Sequence, residues 1–463
     1  MTAENISREY DSETKNSALV STMIAAFSMS FMGSSLNVAL PAIGKEFSVS
    51  ALFLGWIATS YLLSSAIFQV PFGRLADIYG RRGYFTLGMI IFTLSSLATV
   101  FVTNVVLFIT LRVVQGIGGS MVFGTGVAIL TSVFHAKERG KVLGLNVAAV
   151  YTGLSAGPFL GGMLTQNFGW RSIFLVNTAM CAAAVFFAAF KMKGEWAESK
   201  GESFDLAGSL IFAFGMFFLI FGLSSLPSIT GAASLAFGLL MLVLFISAEF
   251  KVKHPVMNMK LFFHNAVFAF SNLSALIHYA SSFAVSFLLS LYLQYAKGLT
   301  PQAAGLVLMI QPVIMMLFAP AAGKLSDRFN PGKIASSGMA MTAAGLVMLI
   351  FINADTPVYY TALSLILIGF GFAFFSSPNT NAVMSSVERK DYSVASAALG
   401  TMRVTGQMTG LAIGMMALSI FIGTAKIEPS NMEMFIKAVQ AAFTLSAALC
   451  IFGIFASLKR NKK

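Results

Sequence analysis

The chain has 463 residues, of which 57% are hydrophobic and 10% charged, against about 25% charged residues in ordinary soluble domains. This composition excludes a disordered chain, a disulfide-stapled secreted domain and almost any water-soluble globule, and it leaves a polytopic membrane protein. The net charge of +12 comes from basic residues that stand singly between apolar runs. Membrane topology explains this charge better than binding to nucleic acid does, so we expect no nucleic-acid partner.

Fourteen apolar runs along the chain are long enough to cross a bilayer, since a transmembrane helix needs about 20 apolar residues. The runs are continuous rather than alternating, which favours helices over the strands of a barrel. We therefore predict an all-α, polytopic membrane protein with 14 transmembrane helices, numbered here as spans 1 to 14. The predicted spans lie near residues 18–43, 52–72, 84–103, 105–130, 142–165, 172–190, 206–226, 231–249, 266–293, 301–322, 334–352, 358–386, 394–422 and 436–457.

The basic residues predict how these spans are oriented. With the N-terminus in the cytoplasm, 23 of the 30 Lys and Arg residues fall in inner segments and five in outer segments, while Arg112 and Arg403 lie within spans. This split follows the positive-inside rule. The even number of spans then places both termini in the cytoplasm, with a polar N-terminal tail over residues 1–17 and a basic tail over residues 458–463. The first apolar run is too long for a cleavable signal peptide.

A short internal repeat predicts the domain organisation. Gly73–Asp77 (GRLAD) follows span 2, and Gly323–Asp327 (GKLSD) follows span 10, 250 residues later. If spans 1–6 and 9–14 form two halves, both segments are the loop after the second helix of a half. Parallel repeats of six helices are a transporter architecture. We therefore predict two six-helix bundles, over residues 18–190 and 266–457, joined by a connector over residues 191–265 that contains a two-helix insert.

Four sequence motifs resemble those of one transporter family. They are Gly73–Arg82 (GRLADIYGRR) after span 2, Arg112–Gly118 (RVVQGIG) in span 4, Gly153–Gly162 (GLSAGPFLGG) in span 5 and Asn37–Pro41 (NVALP) at the end of span 1. With these motifs the sequence resembles the major facilitator superfamily, and in particular its fourteen-span branch of drug:proton antiporters. The resemblance implies multidrug efflux, in which a secondary active transporter exports small amphipathic compounds by proton antiport and rocker-switch alternating access.

The same resemblance implies the partners and the location. The proton gradient would be the driving force, without a cofactor, and the partners would be a small-molecule substrate and the lipid bilayer. We expect a monomer in a bacterial plasma (inner) membrane. The sequence has no phosphate-binding loop, no HExxH motif and no metal-ligand spacing, so we expect neither an enzyme nor a metal site.

The loop between spans 2 and 3 is the predicted conformational gate. Asp77 lies at a helix end among basic residues, and such ion pairs can latch one half to the other and break when the halves rock. The alternative is that the arginines only set the topology, and that Glu138 in the next inner loop is a solvated charge. The predicted gating residues are Gly73, Asp77, Gly80, Arg81, Arg82 and Glu138.

Two intramembrane groups are candidates for proton coupling. Arg112 lies about 10 Å into span 4, where a guanidinium costs about 2.5–3.5 kcal/mol without a partner or a wet cavity. In the family that the sequence resembles, this arginine is linked to proton coupling. His278 lies about 18 Å into span 9 and belongs to the residue type that titrates near neutral pH. The alternatives are an anchor to backbone carbonyls for Arg112 and a neutral packing role for His278.

Polar residues within the spans are candidates for the lining of a substrate cavity, although any one of them can instead hold helices together. Arg403 is close enough to a span end to snorkel. The cavity candidates are Asn37, Gln115, Asn146, Gln311, Asn379, Arg403 and Gln407. In span 5, small residues and a proline form a predicted helix-bend motif, which consists of Gly153, Gly157, Pro158 and Gly161.

The acidic residues suggest an alternative substrate class. Drug-exporting members of the family usually carry an aspartate five residues before Asn37, where this sequence has Met32. All 18 Asp and Glu residues fall in tails, loops or span ends. The alternative is therefore a metabolite exporter or facilitator for neutral or anionic substrates, without a preference for cationic drugs. A transport-inactive sensor of the same fold is disfavoured, because the gating loop and Arg112 are both intact.

Overall fold

The structure is a computed structural model that describes residues 11–252, 255, 259–388 and 392–460, with the backbone alone at 136, 137, 140, 260, 327 and 392–394. Within these residues the chain is helical and contains no strand. Fourteen helices in this part of the chain are long and apolar enough to cross a membrane. The predicted all-α fold with 14 transmembrane helices is confirmed.

The first half consists of six long helices with well-defined starts. The Asp11 and Asn104 side chains accept hydrogen bonds from the N–H groups of Thr14 and Leu107, at 3.0 and 2.8 Å, which pairs donors that have no partner within the helix. Gly80, with φ of 132°, separates spans 2 and 3 in a conformation that favours glycine. The helices are Ser12–Phe47, Ala51–Tyr79, Arg81–Val100, Val105–Val133, Ala136–Phe168 and Arg171–Phe186, and a π-helical turn Phe187–Lys191 continues the last one.

The remaining helices form the insert and the second half. Spans 10 and 11 begin with Pro301 and Pro331, which fit the first turn of a helix because its N–H groups have no partner within it. The insert helices are Leu206–Ser224 and Ile229–Glu249, followed by a short helix Met259–His264. Span 9 comprises Ala266–Ser282, Ala284–Leu291 and a π-helical turn Tyr292–Ala296, and span 10 comprises Pro301–Leu308 and Ile310–Arg328. Spans 11 to 14 are Pro331–Ile350, Val358–Ser385, Tyr392–Phe421 and Met432–Lys459, and a 3-10 turn Pro429–Asn431 precedes the last one.

The two halves repeat the same helix packing. In the first half, span 1 packs on span 5, span 4 packs on spans 2 and 3, and span 3 packs on span 6. The equivalent pairs recur in the second half, where span 9 packs on span 13, span 12 packs on spans 10 and 11, and span 11 packs on span 14. The two six-helix bundles predicted from the internal repeat are therefore present.

The two-helix insert forms a hairpin on the flank of the bundle. Span 7 packs against span 2 of the first half and span 13 of the second half, and span 8 packs on span 7. An apolar cluster separate from the main core joins these helices, and its buried members include Leu63, Ile67, Phe212, Met216, Ile220, Met408 and Ala412. The insert therefore covers the seam between the halves where spans 2 and 13 meet.

The two ends of the bundle differ in how the halves meet. We call the end where span 1 begins and span 14 ends the termini side, and the opposite end, where span 1 leads into span 2, the distal side. At the distal side, Ser290 Oγ donates to the Asn37 carbonyl oxygen at 2.6 Å, and Gln294 Nε2 donates to the Val38 carbonyl oxygen at 2.9 Å. These bonds join spans 1 and 9 and close the distal side of the seam.

Spans 5 and 10 also meet closely at the distal side. A Cβ atom added to Gly305 would lie 2.1 Å from the carbonyl oxygen of Pro158, and one added to Gly162 would lie 2.4 Å from that of Pro301. Such distances are possible only because both glycines lack a side chain. The two halves are therefore in backbone contact on the distal side.

Candidate functional site

The predicted gating motif lies on the termini side, where span 2 ends and span 3 begins. Arg81 Nε, at the start of span 3, donates to Asp77 Oδ1 at 2.7 Å, four residues earlier near the end of span 2. Arg81 is only 4% exposed, and its Nη1 also donates to Ser132 Oγ at 2.9 Å in span 4. Gly73 contacts span 4 directly, since a Cβ on Gly124 would lie 3.2 Å from the Gly73 Cα. The motif is therefore fixed within the first half.

A segment of the connector covers this motif. It comprises residues 195–202 (EWAESKGE), which we call the acidic strap. The Glu198 carboxylate accepts hydrogen bonds from both Arg81 Nη1 and Nη2, at 2.6 and 3.0 Å. The backbone of the strap also binds the motif, because the Arg81 N–H donates to the Trp196 carbonyl oxygen at 2.9 Å. Hydrogen bonding to Arg81 lowers the pKa of Glu198, whose carboxylate is thereby held in the charged form.

The two other glutamates of the acidic strap bind on either side of this pair. Glu195 accepts hydrogen bonds from the N–H groups of Arg82 and Gly83, at 2.7 and 3.0 Å, at the start of span 3. A carboxylate in this position pairs free helix donors and complements the positive end of the helix dipole. Glu202 forms an ion pair with Arg74 near the end of span 2. Each glutamate of the strap therefore satisfies a different part of the motif.

The gating motif binds other partners than the predicted latch between the two halves requires. Within the described residues, Asp77, Arg81 and Arg82 contact the first half and the connector, and we find no contact from them to the second half. Glu138 pairs with Lys15 at 3.7 Å, apart from this network. Sequence reasoning missed the acidic strap. The sequence pattern that could have indicated it is three glutamates in the connector, spaced three and four residues apart, which match the three arginines of the loop between spans 2 and 3.

Arg112 lies inside the first bundle. It is 1% exposed, its Nε donates to the Ile57 carbonyl oxygen at 3.3 Å, and its Nη1 donates to Gln115 Oε1. The guanidinium carbon lies 4.5 Å from the centre of the Tyr61 ring, which supports the charge through a cation–π contact. Gln115 Nε2 in turn donates to Ser96 Oγ at 2.6 Å. This geometry favours the anchoring alternative for Arg112 and places Gln115 between helices rather than at the seam.

His278 is fully buried in an aromatic environment. Its ring stacks on Phe375 with the centroids 4.0 Å apart and meets Phe372 edge-on at 4.6 Å. Neither ring nitrogen has a hydrogen-bond partner among the described residues. Aromatic packing without a polar partner is typical of a neutral imidazole, because a charged ring in an apolar site lacks solvation. Within the part of the chain that the structure describes, neither an acid nor a donor pairs with the imidazole of the predicted proton-coupling histidine.

Arg403 lies in span 13, and its side chain contacts spans 9 and 12 of the same half. Its Nη2 donates to Thr380 Oγ1 at 2.5 Å, and its guanidinium carbon lies 5.9 Å from the centre of the Tyr279 ring. Tyr151 of span 5 belongs to the first half and lies within electrostatic range of Tyr279 and Arg403. We call Tyr151, Tyr279, Thr380 and Arg403 the seam cluster. It combines two aromatic rings with one cation.

The remaining cavity candidates have different surroundings. Asn146 Oδ1 and Gln311 Oε1 are buried and have no hydrogen-bond partner among the described atoms, so both retain capacity for a ligand. Gln407 is half-buried one helical turn beyond Arg403. Asn37 is half-buried and belongs to the distal contact between spans 1 and 9. Three of these candidates therefore fit a cavity lining, and Asn37 takes part in closure.

Asn379 lies apart from the seam cluster. Its Oδ1 accepts a hydrogen bond from Arg460 Nη1 at 2.6 Å, and its Nδ2 donates to the Ser271 carbonyl oxygen at 3.2 Å. Arg460 is 6% exposed and also donates to Ser457 Oγ at 2.8 Å. Asn379 is therefore held by spans 9 and 14 rather than by the seam cluster, and its place in a cavity lining stays a prediction. Arg460, assigned by sequence to a basic tail, is instead a buried anchor at the end of span 14.

The predicted helix-bend motif packs span 5 against span 1. Cβ atoms added to Gly153 and Gly161 would lie 2.5 Å from the Phe27 carbonyl oxygen and 2.6 Å from Ser35 Cβ. One added to Gly157 would lie 1.9 Å from Ser34 Oγ. Span 5 is a single helix from Ala136 to Phe168, although Pro158 inside it has no backbone N–H to donate. The motif thus provides close approach of two helices, and Pro158 contributes its carbonyl to the contact with span 10.

Comparison with known proteins identifies the family of this fold. The sequence matches the Major Facilitator Superfamily over residues 22–268 and 271–463. The chain therefore belongs to this superfamily of transporters. It is a multi-pass membrane protein that acts on small molecules, and its relatives are transporters rather than enzymes.

Several curated relatives resemble the chain over most of its length. Riboflavin transporter RibZ of Clostridioides difficile (strain 630) is 30% identical over 439 residues, which cover 94% of this chain and 95% of that protein. Multidrug resistance protein Stp of Mycobacterium tuberculosis (strain CDC 1551 / Oshkosh) is 29% identical over 420 residues, or 89% of this chain and 77% of that protein. The names of these relatives cover both a vitamin and drugs.

Solved structures share the fold. A peptide transporter POT in complex with sulfate superposes with a TM-score of 0.71 at 11% identity, over 97% of this chain and 95% of that chain. The human organic anion transporter MFSD10 (TETRAN) superposes with a TM-score of 0.66 at 13% identity, over 96% of this chain and 99% of that chain. At these identities the likeness concerns the fold alone.

Proposed function

We propose that this chain exports small amphipathic compounds by proton antiport, with alternating access to a site between its two halves. The observation that carries the proposal is the seam cluster, in which Tyr151 of the first half lies within electrostatic range of Tyr279 and Arg403 of the second half. The rings offer flat apolar surfaces, and the guanidinium offers charged donors, a combination suited to amphipathic ligands. Alternating access requires a site that both halves share, and closure of one end of the seam fits one state of that cycle.

The proposed export of drugs draws further support from relatives. Besides protein Stp, the Tetracenomycin C resistance and export protein of Streptomyces glaucescens is 27% identical over 84% of this chain. We retain Arg112 and His278 as the proposed proton-coupling residues. Both are sealed inside their bundles here, so coupling through either one requires that another state of the cycle bring water to it.

A second candidate function is the transport of neutral or anionic metabolites. The seam cluster contains a cation, and Met32, at the position of the aspartate usual in drug exporters, is a core residue with 1% exposure. A half-buried cation favours an anionic or strongly hydrogen-bonding ligand, because like charges in a low-dielectric site repel. The riboflavin transporter RibZ, with its 30% identity over nearly the whole chain, supports this class of substrate.

Transport by purified protein in liposomes distinguishes the two candidates. With an imposed pH gradient, the probes are ethidium as a cation, riboflavin as a neutral compound and fluorescein as an anion, and a luminal dye reports proton release. Drug:proton antiport predicts proton release with ethidium. The metabolite alternative predicts flux of riboflavin or fluorescein and none of ethidium. Absence of flux for all three probes would contradict both candidates.

The role of the seam cluster has its own test. In Arg403→Gln, we expect the flux of fluorescein to fall about tenfold or more, since a hydrogen bond to a charged group contributes about 1.5–3 kcal/mol. Riboflavin flux should fall less, because that probe carries no charge to pair with the guanidinium. Lys426→Gln is the matched control, since it removes one positive charge from an exposed distal loop. Equal loss for every probe would argue against direct recognition by Arg403.

A further inference from the structure

The termini side of both halves carries positive charge that must be brought together when that side closes. The gating motif, residues 73–82, contains three arginines and one aspartate, a net charge of +2. The corresponding segment of the second half, residues 323–333, contains two lysines, one arginine and one aspartate, also a net charge of +2. Lys324, Arg328 and Lys333 are exposed. Like charges on approaching surfaces oppose closure.

The acidic strap carries the charge that offsets this repulsion. Its three glutamates and one lysine give a net charge of −2, which cancels that of the gating motif. The cancellation is local, because Glu198 and Glu202 bind Arg81 and Arg74 directly. Glu195 lies at the positive end of the span 3 helix dipole. The strap therefore leaves the first half close to neutral at this site, while the second half stays basic.

The strap is also placed to move with the first half. Its backbone is fixed to the gating motif by the hydrogen bond from Arg81 to Trp196 and by that from the Ser199 N–H to the Asp77 carbonyl oxygen at 2.9 Å. The Trp196 side chain is 7% exposed and belongs to the main apolar core. The carboxylates are more open, since the side chain of Glu198 is 64% exposed. An anchored backbone with exposed charges suits an electrostatic role.

We propose that the acidic strap is an electrostatic screen for the gate, in which Glu195, Glu198 and Glu202 are positioning residues that permit the basic termini faces of the two halves to approach. This inference rests on the alternating access of the proposed function. It differs from a purely structural role in one respect. A screen acts through charge, so its loss is compensated by salt or by removal of positive charge from the opposite half.

The experiment measures how far the termini side opens. Spin labels are placed at His135→Cys in the first half and Phe329→Cys in the second half, both exposed on the termini side. The native Cys181 and Cys450 are 0% exposed and do not compete for the label. Electron–electron distance distributions of the full chain in lipid nanodiscs then give the populations of the open and closed termini side. Glu198→Gln is measured first, followed by the E195Q/E198Q/E202Q triple variant.

We expect neutralisation to favour the open termini side. At low ionic strength the open-to-closed ratio should rise by up to about fivefold per glutamate, the upper range for exposed charge interactions. About 1 M salt, where the Debye length is about 3 Å, should reverse the rise. Combining the triple variant with Lys324→Gln, Arg328→Gln and Lys333→Gln should also restore the closed population.

Two sets of variants separate charge from structure. The triple change Asp355→Asn, Glu428→Gln and Glu433→Gln removes three exposed carboxylates from the distal side and should leave the ratio unchanged. The triple Glu→Asp variant of the strap keeps the charge and should behave as the parent chain does. If the open population of the triple variant rises, and neither salt nor the variant of the opposite half reverses the rise, the strap has a structural role and the electrostatic screen is overturned.

The failure of this inference is distinct from that of the proposed function. One outcome is that the parent chain shows two distance populations whose ratio is the same in the strap variants. That result would overturn the electrostatic screen but would still support alternating access. The parent chain is also measured with riboflavin, fluorescein or ethidium present and after a pH change. A single distance population under every one of these conditions would overturn alternating access and the inference that rests on it. Single-residue variants of the strap keep the test valid where the triple variant fails to fold.

Discussion

The ion pairs between described residues of this protein lie at helix ends and in loops, where water is within reach. Glu198 and Arg81 form a two-fold hydrogen-bonded ion pair on the termini side. Arg112 has no carboxylate partner among the described residues and depends on a carbonyl, an amide and the Tyr61 ring. The difference follows from solvation, because a carboxylate placed in the apolar interior would itself have to lose its hydration.

The Glu198 and Arg81 pair predicts an acid transition at the acidic strap. The lowered pKa of Glu198 means that the bond is present at and above the ordinary pKa of 4.5 and is lost only as the pH falls below that value. In a Trp56→Phe, Trp170→Phe background, Trp196 is the single remaining tryptophan. We expect its emission to stay constant at neutral pH and to shift to the red in acid. With Glu198→Gln, the shift should already be present at neutral pH.

The close packing of spans 1 and 5 predicts opposite effects for two glycines of one helix. In Gly161→Ala the new Cβ meets Ser35 Cβ at 2.6 Å and Ser35 Cα at 2.7 Å, so the two helices must separate. We expect a loss of about 1–3 kcal/mol of stability from overpacking. Gly144 has no atom within 4 Å of an added Cβ, and Gly144→Ala should stabilise by up to about 1 kcal/mol. Thermal unfolding of both purified variants checks this order, and equal effects would contradict it.

At the scale of whole helices, contacts between elements determine which end of the seam is closed. Spans 1 and 9 and spans 5 and 10 meet at the distal side, whereas the gating motif on the termini side binds its own half. The insert adds a third contact, because span 7 lies against spans 2 and 13 together. A relative motion of the halves must therefore rearrange the apolar packing of span 7 as well as the distal contacts.

The distal contact of spans 5 and 10 predicts a shift of state. In Gly305→Ala, the added Cβ would lie 2.1 Å from the Pro158 carbonyl oxygen, which forces the two spans apart. We expect the population with an open distal side to rise by on the order of tenfold, since overpacking costs about 1–3 kcal/mol. Spin labels at Phe168→Cys and Tyr359→Cys, which are exposed and lie in different halves, report the distance.

Leu306→Ala, in the same turn of span 10, is the control variant for Gly305→Ala. Leu306 is 49% exposed on the outer surface of span 10, so its truncation leaves the seam untouched. The distance distribution of this variant should match that of the parent chain. A similar shift in both variants would indicate a general loosening of span 10 and would contradict a specific role for the Gly305 contact.

For the whole molecule, the distribution of basic residues predicts its orientation in the membrane. Of the 23 Lys and Arg residues assigned to inner segments, those within the described ranges lie at the termini side, which we expect to face the cytoplasm. In intact bacterial cells that express the chain, a membrane-impermeant maleimide should label Phe168→Cys at the distal side. It should label His135→Cys, at the termini side, only after the cells are opened. Labelling of His135→Cys in intact cells would reverse the predicted orientation.

The candidate site was predictable in part. Arg403 and Gln407 were identified because a polar residue within an apolar run is costly unless it has a partner. Tyr151 and Tyr279 were missed, since an aromatic residue in a span is ordinary and only its neighbours make it part of a site. The surroundings of Asn379 were not predictable, because its partner, Arg460, is 81 residues away along the chain. Partners at that separation leave no periodic signal in the sequence.

The sequence by itself determined the number of spans, the helical fold and the two-fold repeat, because an apolar run of about 20 residues has only one way to satisfy its backbone in lipid. The repeated motif after spans 2 and 10 was enough to define the halves. Only the tertiary structure decided which charges meet, since an ion pair depends on distances of a few ångströms between segments such as the gating motif and the acidic strap. It also decided which end of the seam is closed, because that depends on backbone contact between the halves.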